Sequence, residues 1–163
     1  AWRREPGAGL LLTNLIHDLD LLRYLCGEVR QVQAITHNGV RGFANEDSAA
    51  VLLKFESGAL GTLTGSDAVA APWSWELSAG ENPVYPRQFD QPCYLLSGTR
   101  GALSIPPVPA GEALRLQLEH FVQVARGEAQ PLVDAADAGR TLALVEAIQR
   151  AAGSGQAVAP EAL

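Results

Sequence analysis

Glu56-Ser57-Gly58-Ala59 divides two stretches whose side chains alternate in character, and this pairing limits the possible folds more than any other feature of the chain. Before it, from about Asp47 to Phe55, Ala49, Val51, Leu53 and Phe55 share one parity while Ser48, Ala50, Leu52 and Lys54 share the other. After it, from Leu60 to Ala68, Leu60, Thr62, Thr64 and Ser66 alternate with Ala59, Gly61, Leu63 and Gly65. A period of two belongs to a strand, and a short turn of small and polar residues joins antiparallel neighbours. The two stretches are therefore expected to form a hairpin. Further strands are predicted from Val29 to Thr36, Trp73 to Ser78, Cys93 to Gly98 and Ala102 to Ile105, the last two joined by Thr99-Arg100-Gly101. Gly80 to Pro92 is rich in glycine and proline and reads as an irregular excursion over the surface.

Helical periodicity flanks this block. Leu11, Leu15, Leu19, Leu22 and Leu25 or Cys26 recur near 3.6-residue spacing and Gly27 follows as a stop, so Leu10 to Cys26 is predicted helical. Leu114, Leu118, Phe121, Val122 and Ala125 make a second stripe ending at Gly127, and Leu142, Val145, Ile148 and Ala152 a third ending at Gly153. Asp134, with Asp137 three residues on, resembles a start signal for the last helix. Helix, grouped strands and then two helices imply an α+β layer fold: an open, mostly antiparallel sheet with helices packed on one face. The Thr/Ser/Gly/Ala character of the other face suits either a contact with a second subunit or an ordinary solvated surface.

Composition narrows the function. The 163 residues, 47% of them apolar, suffice for a single domain with its own core. Eighteen acids outweigh twelve bases, and the bases are scattered apart from Arg3-Arg4, which argues against a nucleic-acid surface. Apolar runs are short and no basic-then-apolar leader precedes them, so neither membrane insertion nor secretion is expected. Cys26 and Cys93 lack the spacing of a metal or redox motif, which suits a reduced cytoplasmic setting. The chain contains no methionine and opens on Ala1-Trp2-Arg3-Arg4, without a helix or strand signal, so it is expected to be a piece of a longer protein.

The first helix carries the chemistry. Thr13, His17, Asp20 and Tyr24 fall on one stripe, with Asn14 and Asp18 beside it, so a polar ribbon runs along an otherwise apolar helix. An imidazole placed there can move a proton near neutral pH while a neighbouring hydroxyl or amide orients the substrate oxygen. The competing reading is a histidine that only caps or bonds the core.

The segment Gly7 to Gly27, with Glu46-Asp47-Ser48-Ala49-Ala50, Leu96-Ser97-Gly98-Thr99-Arg100-Gly101-Ala102-Leu103 and Gly153-Ser154-Gly155-Gln156-Ala157-Val158, resembles the C-terminal domain of the Gfo/Idh/MocA oxidoreductases. The likeness spans nearly the whole chain in order. It implies a glyceraldehyde-3-phosphate dehydrogenase-like C-terminal domain over residues 1–163, serving substrate binding and oligomerisation, with an N-terminal Rossmann domain outside this chain that binds NAD or NADP. It implies that His17 is the catalytic proton acceptor or donor, that the substrate is a sugar or polyol, and that a homodimer or homotetramer forms through the open sheet face. The family pattern Asp-x-x-x-His has its aspartate at the position of Thr13, whose hydroxyl can hydrogen-bond but holds no charge; Asn14 supplies part of that polarity. A module that kept the fold and lost turnover is the alternative.

Other signals carry less. Trp73, Trp75, Tyr85 and Tyr94 are possible walls for a sugar, although core packing is the commoner fate of such rings; Trp75 is taken as the substrate contact. Asp20 reads as structural. Gly7-Ala8-Gly9 lacks the preceding strand and third glycine of a dinucleotide loop. His37, in an expected loop, and His120, an expected exposed helix residue, make no zinc-like spacing with His17, so no metal is expected. Lys54, mid-strand, is a poor substitute for the family's catalytic lysine.

Overall fold

In chain order the elements are a 3-10 turn Trp2–Arg4, a π-helical turn Leu11–Leu15, α1 (Ile16–Cys26), β1 (Val29–His37), β2 (Ser48–Phe55), β3 (Leu60–Ser66), α2 (Trp75–Ala79), β4 (Tyr94–Gly98), β5 (Gly101–Ile105), α3 (Ala113–Ala125) and α4 (Ala135–Ser154). They come from a computed structural model that describes residues 2–79, 84, 91–105 and 113–161. The elements fall into two compact units, Ala1–Val69 with Val133–Leu163, and Ala70–Leu132.

In the first unit β1, β2 and β3 make an antiparallel sheet in that order. The expected hairpin is the β2–β3 pair, closed by the Phe55 N–H donating to the Ala59 carbonyl at 2.9 Å. The alternation sorts the faces as predicted: Ala49, Val51, Leu53 and Phe55 are buried, whereas Ala50, Leu52 and Lys54 are exposed. On β1 the period of two breaks at a bulge, where Val29 pairs with Phe55 and Gln31 with Lys54. Arg30 is the extra residue, so Val29 and Val32 both point inward with two exposed residues between them.

Helices cover the buried face. α4 packs on β1 and α1 packs on α4. Leu11, Leu15 and Leu19 meet Val32, Val51, Leu53 and Phe55 of the sheet and Leu144, Val145, Ile148 and Ala151 of α4 in one core. Each such Leu or Val contributes on the order of 1.5–3 kcal/mol when fully buried, against about 1 kcal/mol for a helix cap. The seam therefore sets where α4 lies, and the caps set where it starts and stops. Asp134 caps its start by accepting the Asp137 N–H at 2.7 Å. Two sequence expectations need correction here. The helix runs through Gly153 and turns at Gly155, which has φ 68°. Its buried stripe is Thr141, Leu144, Val145, Ile148 and Ala151, and Leu142 is 44% exposed, because α4 faces α1 as well as the sheet and its covered arc is turned accordingly. Beyond the helix, Val158 exchanges two 2.8 Å backbone bonds with Val32 and so extends the edge of β1.

In the second unit, β4 and β5 pair antiparallel with Gly98 opposite Gly101, so the turn is Thr99-Arg100. Trp73 to Ser78, expected as a strand, instead contains the helical turn α2, with the Ser78 N–H donating to the Ser74 carbonyl at 2.9 Å. Glu76, Leu77 and Ala79 are strong helix formers, and six residues of alternation cannot outvote them. On α3 the described part of the expected stripe is open: Leu118 and Phe121 are 65% and 66% exposed. Most of the excursion expected from Gly80 to Pro92, Tyr85 included, lies outside the described residues, as does the side chain of Leu114.

Candidate active site

The predicted catalytic segment begins at a glycine packed under an acid. The Glu46 carbonyl accepts the Leu10 N–H at 3.1 Å, and its Oε1 accepts the Leu11 N–H at 2.9 Å. A Cβ on Gly9 would stand 2.3 Å from that Oε1, so any larger residue there would push the carboxylate from its seat. A carboxylate thus takes up a donor of this helix start.

Next comes the π-helical turn, a local widening frequent where a helix serves a site. The Thr13 hydroxyl donates either to the Gly9 carbonyl at 2.9 Å or to Asn14 Oδ1 at 2.8 Å. Asn14 and His17 are exposed and Thr13 is half-buried. Among the described residues none hydrogen-bonds or ion-pairs with the His17 ring. Among the described residues that imidazole neither caps a helix nor bonds the core.

Asp20 turns the other way. Its Oδ1 accepts the Thr141 hydroxyl at 2.6 Å and lies 3.5 Å from the Arg23 guanidinium. The expected ribbon thus splits, with Asn14, His17 and Tyr24 open to solvent and Asp20 joined to α4. Arg23, which the sequence reading passed over, is the centre of this side: it is buried, and its guanidinium bonds Glu28, Thr141 and both the carbonyl and carboxylate of Asp137. Arg140 adds bonds of 3.1 Å to Glu28 and 2.6 Å to Asp137. The hydrogen bond from Arg23 holds the Glu28 and Asp137 carboxyls below their usual range and fixes the arginine as a cation. A cleft of about 280 Å³ opens beside this network, lined by Glu28, Glu56, Arg140 and Glu161 among others. A signal for Arg23 was present, since it continues the buried four-residue steps Leu11, Leu15, Leu19.

The other histidines have structural engagements. His37 ends β1, where it pairs with Ser48, and is not in a loop, because the strand runs one residue further than predicted. His120 is half-buried, correcting its expected exposure, and its Nε2 accepts the Leu132 N–H at 3.3 Å. Asp47, also passed over, is buried and accepts the N–H groups of Arg41 (2.9 Å) and Val40 (3.0 Å) and the Ser48 hydroxyl. These bonds, the Arg41 amide foremost, keep its carboxyl ionised to lower pH than usual. Cys26 is not in a disulfide, and burial pushes its thiol up. Among the described residues no group of three or more His, Cys, Asp or Glu side chains is placed to hold a metal, and no helix is long and apolar enough to cross a membrane. Trp75, on α2, is half-buried and meets Tyr94 edge-on at 6.2 Å. It belongs to the second unit, whereas Thr13, Asn14 and His17 belong to the first.

A sequence model of the GFO/IDH/MocA C-terminal domain matches residues 1–104. The chain belongs to this family. The GFO/IDH/MocA domain seen here is 29% identical over 159 residues to a D-apiose dehydrogenase from Paraburkholderia graminis, an alignment covering 88% of this chain and 42% of that protein. In fold it is similar to an oxidoreductase from Thermotoga maritima (TM-score 0.73, 22% identity, 98% of this chain and 47% of the other). It is also similar to an Agrobacterium radiobacter oxidoreductase solved with NAD+, L-tartaric acid and magnesium (0.69, 22%, 97% and 51%). A third likeness is to the WlbA dehydrogenase of Bordetella pertussis solved with NADH and UDP-GlcNAcA (0.64, 22%, 95% and 46%). The chain spans about half the length of these relatives. The α+β architecture expected from the sequence is the one these solved structures share with it.

Proposed function

We propose that this chain is the substrate-binding and proton-transfer domain of an NAD(P)-dependent oxidoreductase acting on a sugar, a polyol or a related hydroxyl compound. The observation that carries the reading is the exposed His17 ring, unclaimed by any described residue, on a helix within the span that the family model matches. In this proposal His17 takes the proton from a substrate hydroxyl as it becomes a carbonyl, or returns it in reduction. Asn14 and Thr13 orient that oxygen, and Trp75 offers an aromatic face to the sugar. The nicotinamide, NAD or NADP, is held by a Rossmann half outside this chain and supplies or accepts hydride when bound. The D-apiose dehydrogenase and the UDP-GlcNAcA complex among its relatives support a sugar-class substrate. The face of the first sheet opposite the helices, where Ile35, Leu52 and Leu60 are exposed, is assigned to contact with a second copy, in a dimer or tetramer, and the protein to the cytoplasm.

A second reading, a sugar-binding or assembly module without turnover, is favoured by Thr13, whose hydroxyl turns to Gly9 or Asn14 where the family has a carboxylate. The longer protein separates the two. Reduction of NAD or NADP with any member of a sugar and polyol panel supports the oxidoreductase; saturable sugar binding without cofactor turnover supports the module.

A further inference from the structure

Three consecutive residues, Asn45-Glu46-Asp47, each hold a different stretch of the first unit. The Asn45 amide donates to the carbonyls of Arg3 (3.0 Å) and Glu5 (2.8 Å), so it fixes the segment that leads into the catalytic helix. Asp47 gathers the Val40 and Arg41 amides. Glu46, between them, takes the helix start itself, accepting the N–H of Leu10 on its carbonyl and that of Leu11 on its carboxylate.

The first N–H groups of a helix have no partner inside it, and a carboxylate there also meets the positive end of the helix dipole. Here the acid does more than satisfy a donor. All three terminal atoms of Glu46 lie within 2.4 Å of where a Gly9 Cβ would be, so the carboxylate is seated against bare backbone. Leu10 and Leu11 are both buried in the core, which resists rotation of the turn. Leu11 then carries two constraints, because its carbonyl also accepts the Ile16 N–H that closes the π-helical turn. The angular phase of the next residues, Asn14 and His17 included, follows from where Leu11 is held.

We propose that Glu46 is a positioning residue: by anchoring Leu11 it sets the direction in which Asn14 and His17 face. The inference rests on the reading of His17 given above, but its test reads local order and not turnover. In this chain E46A and E46Q are compared with wild type by residue-resolved amide hydrogen exchange and by the ring resonances of His17. For E46A, exchange at Leu11 and residues 13–17 rises by about tenfold or more, the His17 ring resonances move, and Val51 and Leu53 in β2 change by less than about threefold. E46Q, which keeps an oxygen to accept the Leu11 N–H, restores most of the protection and returns the His17 resonances toward wild type. Equal increases at Leu11, Val51 and Leu53, or no increase at Leu11, overturn the proposal. Should E46A not fold, E46D decides, since its shorter side chain withdraws the acceptor from Leu11: a rise at Leu11 of about threefold with Val51 unchanged supports it, and wild-type exchange at Leu11 overturns it. If His17 is not catalytic, that failure shows separately, as full turnover in H17A of the longer protein with these exchange results intact.

Discussion

The Arg23 guanidinium grips both carboxylate oxygens of Glu28, Nε to Oε2 at 2.9 Å and Nη2 to Oε1 at 2.7 Å, across the turn that ends α1. The same guanidinium reaches Asp137 and Thr141 on α4, so one side chain joins the helix that presents His17 to the helix that covers the sheet. Arg23→Met is expected to lower the unfolding free energy by about 3 kcal/mol, the low end for breaking a buried pair, since Arg140 and solvent still serve the two acids. Lysine is expected to recover less than half of that loss, because an ammonium cannot reproduce the fork. Urea unfolding measures both; an Arg23→Met midpoint equal to wild type would refute the joining role.

The network also gives a pH response with a definite sign. Glu28 and Asp137 are held low by Arg23, and Asp47 chiefly by the Arg41 amide. Carboxyls depressed in the folded state add stability that is fully present above their unfolded values, near pH 4 to 4.5, and is lost as pH falls through the folded ones. Stability is therefore expected to drop below about pH 4, and more gently in Arg23→Met. Acid limbs of equal steepness in the two proteins would dissociate Arg23 from the effect.

Asp134 stands at the start of α4, where its carboxylate takes the Asp137 amide. Asp134→Ala is expected to reduce stability by about 1 kcal/mol and Asp134→Ser by much less. Thermal unfolding of the pair tests this, and equal losses would show that the cap bond is not what the alanine removes.

His17→Ala in the longer protein is expected to preserve nicotinamide binding while turnover falls by about 10²- to 10⁴-fold. In the isolated chain the same change is expected to move stability by no more than about 0.5 kcal/mol. Cofactor titration, steady-state kinetics and urea unfolding supply the three readings, and undiminished turnover would return His17 to a structural role.

Leu52, 54% exposed on β2, lies on the sheet face assigned to a second copy. Leu52→Glu is expected to convert an assembled protein to monomer in sedimentation with little change in the far-ultraviolet spectrum, since the residue is outside the core. Unchanged mass would place assembly elsewhere.

Features written in neighbouring residues were legible in the sequence. The β2–β3 hairpin, the stop at Gly27 and the cap at Asp134 each depend on a turn residue beside a clear period. The helical bias of Glu76, Leu77 and Ala79 competed with alternation over too few residues for the pattern to decide α2. The bulge at Arg30 leaves no mark in composition, because it is a shift in pairing. His17 was legible as a polar residue on a helix, but its lack of a partner among the described residues was not. Glu46 and Gly9 are far apart in the chain, and no periodicity links an acid before a strand to a glycine before a helix. Arg23 was visible in phase with Leu11, Leu15 and Leu19, and was missed because a charge on a buried stripe needs its distant partners before it makes sense.

In the proposed function, the open imidazole of His17 leaves architecture and reactivity to separate sets of atoms. Arg23, Glu46 and the leucine seam keep the helix in place whatever stands at positions 13, 14 and 17. A lineage built on this scaffold is thus free to exchange those three side chains without having to rebuild its interior.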